Sequence, residues 1–493
     1  MTEPEADAAT TVRVTVGSRG GGDVARAARE AAPDGVAVRT VGPTGLTWQE
    51  PILAATRDGR TAAYGRVTPS GAKGLVDALA DGLLEPPAFA LADAPADERS
   101  FPTPDDGPLG VGERRVLDAC GWVDPTDGSP VGTTDPAELE AVARRSGFRG
   151  RGQADDGDGP VAAVWDAVRE AEGNPAEGDS ADDDPAEGNP VVVVDGTGGD
   201  PDADADRLLL ESDPAAVVDA AVAVADLVDA SEVVVAVDEE NRLARERVEA
   251  VAADAPGSAA AVTVRGAEAA PAYDDRPAVV HTPRTLAGVR ALAGDASPGD
   301  DAADSADGAA DWPGADHDPG TRLVTVCGDA DRATVELPTD ASLSAALEAV
   351  EDPGFQFACV GGRLGGLTRS LDVAADADAL VAAGLGTNGV VELFDETRCP
   401  VAAAGKRIRY AREHGCGRCE GCRETVPELH ERLRAVYAGE FDPTELRRIC
   451  SELGDGDCAV AAAAARPVRT AVDGFEAAFR SHADGECPTG ECN

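Results

Sequence analysis

Between positions 414 and 424 the chain reads His-Gly-Cys-Gly-Arg-Cys-Glu-Gly-Cys-Arg-Glu, which sets Cys416, Cys419 and Cys422 at a regular two-residue spacing. A C-x2-C-x2-C run lets one loop wrap three thiolates around three corners of an iron–sulfur cube, leaving the fourth iron for a cysteine from elsewhere. Gly415, Gly417 and Gly421 relieve crowding where backbone must approach a cluster, and their amides can donate to its sulfides. Zinc sites draw on paired cysteines or added histidines. Three evenly spaced thiols therefore favour a [4Fe-4S] cluster over zinc, and unliganded burial fits a glycine-flanked loop poorly.

The fourth ligand has to come from Cys450, Cys458, Cys487 or Cys492. Cys450 stands with Leu446, Ile449 and Leu453 at the i, i+3, i+4, i+7 spacing of a helical core stripe. Cys458 sits in the turn GDGDCAV just ahead of a helix, free to point at a neighbouring loop. Cys487 and Cys492 lie in GECPTGEC at the tail, where the pair could take up a stray metal but a frayed acidic end is the plainer reading.

The elements that must position these thiols follow from periodicity. GKRIRYARE ahead of the cysteines is helical, and VPELHERLRAVYAG after them puts Val426, Leu429, Leu433 and Val436 on one face. FDPTELRRICSELGDGD opens with Asp442 as N-cap, Pro443 at the first helical position and Glu445 at capping-box spacing, and Gly454 ends it. A last helix lines up Val468, Val472, Phe475 and Phe479, so the C-terminal segment is a small helical bundle.

Upstream the pattern alternates. TVRVTVG, DVARAAREAA, VAVRTVG, the hairpin AATRDGRTAAYG and the helix SGAKGLVDALADGLL make a first α/β unit, closed by Pro86, Pro87 and the acidic ALADAPADE. VAAVWDAVREA, VVVVDG, PAAVVDAAVAVADLVDA, SEVVVAVD and ENRLARERVEAVAADA alternate helix and strand, which argues a mostly parallel sheet with helices on its faces. EGNPAEGDSADDDPAEGNP is a solvated acidic insert. RLVTVCGD and ATVELP form a hairpin, SLSAALEAVE a short helix and FQFACVGGRLGG a strand entering a glycine turn, the order of a β-grasp module.

The whole chain is acidic: 92 Asp and Glu against 43 Lys and Arg give a net charge of −49, and the only lysines are Lys73 and Lys406. Such a surface repels nucleic acid and anionic lipid. Acid dispersed beside apolar runs, with almost no lysine, is similar to proteins of salt-loving microbes, where salt screens the self-repulsion. The fold is therefore expected to lose stability as salt falls well below molar levels. Thermal melts in molar and in dilute salt check this, and identical midpoints would rule it out. No apolar leader or membrane-length run occurs, which argues against membrane insertion and points to the cytoplasm, where eleven cysteines would not form a disulfide framework.

GCGRCEGCRE, the segment DCAVAAAAARPV beginning at Cys458, and LGTNGVVELFDETRC leading to Cys399 together resemble the NADH-binding F-type chain of NADH-quinone oxidoreductase. That family includes the flavin subunits of related hydrogenases and formate dehydrogenases. The resemblance implies a [4Fe-4S] cluster on Cys416, Cys419, Cys422 and Cys458, with Cys399 at the position of a non-ligand cysteine. It extends upstream through GTRLVTVCGDADRATVELP, VVHTPRTLAGVRAL and DPDADADRLLLESDPAAVVDAAVAVADLV. It implies an α/β multidomain fold: a thioredoxin-like unit over 1–98, a flavin-domain-like region over 99–294, an acidic linker over 295–318, a β-grasp module over 319–376 and a helical iron–sulfur domain over 377–493.

Three of the family's features are eroded. The glycine-rich flavin loop keeps Gly147-Phe-Arg-Gly150-Arg-Gly152 but continues as GQADDGDG, whose aspartates would repel a phosphate; by itself GFRGRG reads as a flexible Arg/Gly loop. At Val194 to Pro201 the Asn, Glu and Ser that contact flavin and nicotinamide in the family are replaced, although Pro201 and Arg207 remain. The first unit has Pro43-Thr-Gly45-Leu-Thr47 where the family's [2Fe-2S] domain has cysteines, and no cysteine precedes Cys120.

These losses place FMN and NADH binding in doubt. The expected function is an electron-transfer subunit relaying through one [4Fe-4S] cluster to other subunits of a redox complex, of the E or G type in the family. The alternatives are an active FMN-dependent NADH dehydrogenase subunit and a structural or assembly component.

Overall fold

The computed structural model describes residues 10–80, 89–93, 99–152, 159–172, 189–198, 200–254, 260–273, 276–296, 312–328, 331–351, 354–454 and 458–492. The acidic insert falls largely outside them. Three larger sheets, one two-stranded sheet and a helical bundle organise the described residues.

The first sheet comprises β1 (Thr10–Thr15), β2 (Val36–Val41), β3 (Leu53–Arg57), β4 (Arg60–Tyr64) and β5 (Ala90–Asp93), in the order β2-β1-β3-β4-β5. Only β1 and β2 run parallel. Because successive side chains on a strand face opposite ways, Val12, Val14, Ala55 and Ala62 meet α1 (Gly22–Ala31) and α2 (Pro69–Ala80), while Ile52, Ala54 and Ala63 turn to the far side. The ALAD stretch, read as the end of the unit, is instead the edge strand β5, where main-chain pairing with β4 outweighs weak local propensity.

The second sheet is parallel, in the order β8-β7-β6-β9, from β6 (Val191–Gly196), β7 (Glu232–Asp238), β8 (Ala261–Ala267) and β9 (Ala278–His281). Its helices are α3 (Pro136–Ser146), α4 (Val161–Glu172), α5 (Ala205–Ser212), α6 (Pro214–Leu227), α7 (Arg242–Asp254) and α8 (Pro283–Ala296). Val192, Val194, Val233, Val235 and Val237 lie in the main core with these helices. Val191, Val193 and Val234 form a smaller cluster with Ala270, Tyr273, Ala278 and Val280. A run of β-branched residues buried on both faces is what a parallel strand requires.

The acidic linker does not reach residue 318. Trp312 packs against the main core with Arg145 over its ring, β10 (Gly314–Ala315) pairs with β11 (Asp318–Pro319), and Asp318 is fully buried. Residues 297–311 lie outside the described residues.

The third sheet holds β12 (Thr321–Cys327), β13 (Arg332–Pro338), β14 (Phe357–Val360), β15 (Gly366–Thr368) and β16 (Val390–Phe394), in the order β13-β12-β16-β14-β15. The short helix between β13 and β14 is a 3-10 helix over Leu343–Ala349, and α9 (Ala377–Ala382) precedes β16. β16 runs parallel to β12 and antiparallel to β14 at the centre of the sheet, so the sheet draws on residues up to Phe394. Its alternation serves two neighbours. Ala358 and Val360 face the core shared with the first sheet, whereas Phe357 and Cys359 face the C-terminal bundle.

The bundle is α10 (Pro400–His414), α11 (Val426–Ala435), α12 (Pro443–Gly454) and α13 (Ala459–Ala483). Phe357 stacks on Phe394 at 4.7 Å between ring centroids and meets Phe475 of α13 edge-on at 5.4 Å. Buried Arg407 of α10 donates to Cys359 Sγ at 3.0 Å and pairs with Glu392 of β16. Both α10, which leads into the cysteine loop, and α13 are thus fixed to the third sheet. No helix is long and apolar enough to cross a membrane among the described residues.

Candidate metal centre

α10 stops at His414, and Gly415 leaves it in extended geometry (φ −64°, ψ 157°). Gly417 takes φ +64°, a conformation that only glycine adopts cheaply. The chain re-enters helix through a π-turn over Gly421–Thr425 that leads into α11. Such turns recur at functional sites because they re-aim a side chain. Here the turn sends Cys422 inward, 8% exposed, while Cys416 stays exposed.

Cys458 arrives from the other side as the N-cap residue of α13 (φ −137°, ψ 128°). The four Sγ atoms of Cys416, Cys419, Cys422 and Cys458 all lie within 4.8 Å of one another. Cys416 and Cys419 are 3.4 Å apart, and Cys422 and Cys458 3.9 Å. Cys450 lies elsewhere, 1% exposed in the α12 stripe with Leu446, Ile449 and Leu453.

Backbone donors surround the loop thiols. The Arg418 and Cys419 amides donate to Cys416 Sγ at 3.5 and 3.4 Å, and the Cys422 amide donates to Cys419 Sγ at 3.4 Å. The amides of Cys419 and Arg418 bring the Cys416 thiol down to about 6, whereas burial pushes Cys422 up to about 12. The space is shaped for close approach: a Cβ at Gly415 would meet Cys422 Sγ at 2.9 Å, and one at Gly421 would meet Ala461 Cβ at 2.9 Å. An all-thiol donor set with convergent amides fits an iron–sulfur cluster.

Elsewhere the expectations fare differently. The GFRGRG segment is an ordered connection: Arg151 is 2% exposed and pairs with Asp318 at 2.8 Å, and Arg149 pairs with Asp378 at 2.9 Å. Its arginines bind the second sheet's region to the third instead of flexing in solvent, a role local composition could not reveal. Asp200 Oδ2 accepts from the Arg363 amide at 2.6 Å and from Asn388 Nδ2 at 3.2 Å, seating it against the Gly361-Gly362 turn after β14. Pro43, Gly45 and Thr47 line a cavity of about 300 Å³ with Arg19, Glu50, Asp204, Arg207 and Arg332.

Cys487 and Cys492 do not fray but fold back beside Cys399 and His482, the four donor atoms again within 4.8 Å of one another. Their acidic, glycine-containing surroundings hid this. The only sequence signal was three cysteines and a histidine outside the C-x2-C-x2-C run.

The fold and the four converging thiols define an α/β multidomain protein closed by an iron–sulfur-binding helical bundle. Residues 402–482 match the family described as the NADH-ubiquinone oxidoreductase-F iron-sulfur binding region.

Among relatives, the F 2 chain of NADH-quinone oxidoreductase from Rhizobium meliloti (strain 1021) is 33% identical over 193 residues, covering 35% of this chain and 44% of that protein. The alignment thus spans less than half of that relative. NADP-reducing hydrogenase subunit HndC of Solidesulfovibrio fructosivorans is 26% identical over 444 residues, covering 76% and 84%. A solved NAD+-reducing [NiFe]-hydrogenase in the air-oxidized state superposes with a TM-score of 0.59 over 97% of this chain and 86% of that chain, at 20% identity, which establishes a common fold.

Proposed function

We propose that the chain is an electron-transfer subunit of a redox complex, holding one [4Fe-4S] cluster on Cys416, Cys419, Cys422 and Cys458. The observation that carries this is the convergence of those four thiols within 4.8 Å, three from one glycine-rich loop and one from the start of α13. When bound, the cluster supplies one-electron chemistry. The protein's own part is to fix four thiolates, direct amides at their sulfurs and leave the loop at the surface, with Cys416 exposed to whatever docks there.

The finer architecture follows the same reading. The order β2-β1-β3-β4-β5 with two helices on one face supports a thioredoxin-like unit lacking cluster cysteines. The parallel second sheet supports a flavin-domain-like region, and β12 parallel to a central β16 supports a β-grasp module. FMN and NADH binding are not assigned. Asp202 pairs with Arg363 and Arg332 and Asp204 pairs with Arg332, so these charges answer one another, while Asp200 accepts from the Arg363 main-chain amide and from Asn388. Partners of the E or G type, a cytoplasmic setting and adaptation to high salt belong to this proposal.

Anaerobic purification with iron, sulfide and flavin analysis, followed by EPR after dithionite reduction, tests it. The expected result is about four irons and four sulfides per chain, a reduced-cluster EPR signal, and no FMN. Flavin absorbance bleached by NADH would restore the dehydrogenase reading. A cluster that resists reduction would favour a structural component.

A further inference from the structure

We infer that Cys399, His482, Cys487 and Cys492 form a second metal site, a closed structural zinc centre that fastens the C-terminal tail to the start of α10. The Sγ atoms of the three cysteines and a ring nitrogen of His482 lie within 4.8 Å of one another, with Cys399 Sγ to His482 Nε2 at 3.4 Å. Zinc bonds of about 2.3 Å to sulfur and 2.0 Å to nitrogen place neighbouring tetrahedral ligand atoms roughly 3.5–3.8 Å apart. The donor set is therefore already near the size that zinc demands.

The histidine is prepared for this role. Its Nδ1 lies 2.7 Å from the carbonyl oxygen of Ala478, which can only accept, so Nδ1 carries the proton and Nε2 presents a lone pair towards Cys399. A ligand ring whose remote nitrogen donates to a carbonyl is the usual outer support of a metal site. The Tyr437 hydroxyl stands 3.5 Å from Cys492 Sγ, and its ring meets the His482 ring edge-on at 5.3 Å. Cys399 and His482 are 1% and 3% exposed, and all three thiols are free.

The backbone is bent to bring the ligands together. Gly485 and Gly490 take φ +88° and +77°, positions where a side chain would strain the turn. Glu491, next to the ligand Cys492, accepts from the Cys399 amide and pairs with Lys406 at 2.9 Å. Three thiolates with one imidazole and no open position are the signature of structural zinc, which has no redox chemistry of its own. Cys399, Cys487 and Cys492 fall outside residues 402–482, so the site is an addition to the iron–sulfur region and does not depend on its occupancy.

The test is metal analysis of the full chain purified anaerobically, wild type beside Cys487→Ser, Cys492→Ser and Cys458→Ser. About one zinc per chain is expected in the wild type and in Cys458→Ser, falling about tenfold in the two tail variants while their iron content and EPR signal persist. Cobalt supplied during expression should give the wild type thiolate-to-cobalt charge-transfer bands and visible bands of tetrahedral intensity, which keeps the question decidable if a variant fails to fold. Zinc absent from wild type with no tetrahedral cobalt spectrum, zinc lost only in Cys458→Ser, or extra iron lost in the tail variants would each overturn the assignment.

Discussion

Cys458→Ser is expected to remove the iron centre or convert it to a three-iron form, because an iron without its thiolate is open to solvent and oxidant. Cys458 is also the N-cap of α13 and makes no side-chain capping bond. Serine is among the best N-cap residues, so the helix should survive the change and the loss should register in metal content alone. Cys450→Ser is the matched control: it puts a hydroxyl into the buried α12 stripe at a cost of ~1–3 kcal/mol, leaving iron count and EPR unchanged in the folded protein. Iron analysis and EPR on the two variants decide the matter. The reverse pattern would mean that Cys450 is a ligand and that the helical register through Leu446, Ile449 and Leu453 is wrong.

Asp318→Asn should be the most damaging single change outside the thiol loop. Asp318 is fully buried between Arg151 at 2.8 Å and Arg322 at 3.4 Å, and also accepts from the Ala377 amide at 3.2 Å. Neutralising it removes the carboxylate charge that faces two buried guanidinium groups, a change that costs about 3–5 kcal/mol in comparable buried pairs.

The effect carries a pH signature. Burial alone would raise the Asp318 carboxyl, but Arg151 and Arg322 outweigh it and hold the group below its usual value of 3.8. A depressed carboxylate contributes its stability above its unfolded value and loses it as pH falls through the folded one. The gap between wild type and variant, measured by denaturant unfolding, should be wide at neutral pH and close below about pH 4. A gap that stays constant into acid would show that packing, not charge, is at stake.

Much of this architecture is written locally. Val191 to Val194 announce a buried strand, Asp442 and Pro443 announce the start of α12, and the stripe Val468, Val472, Phe475 and Phe479 of α13 is buried. Three of the four clustered thiols are legible for the same reason, since they share one short loop.

What escaped is what distant partners decide. β5 and β9 are four residues each, and β8 is a half-exposed edge, so none has a strong pattern of its own. β16 becomes a central strand only by pairing with β12 across intervening turns and helices. Arg151 reads as part of a flexible loop until Asp318 comes to meet it, and Cys487 reads as tail until Cys399 and His482 do.

Placing Cys458 at the start of α13 also has an electrochemical consequence. A helix start carries roughly half a positive charge from its aligned peptide dipoles. Each electron accepted by a cluster on these thiolates adds negative charge beside that pole. A stabilisation of ~0.3–1 kcal/mol for the reduced state corresponds to roughly 10–40 mV in a one-electron midpoint potential. Part of the tendency to accept an electron would thus be set by the direction of the main chain, which no side-chain substitution along α13 could remove.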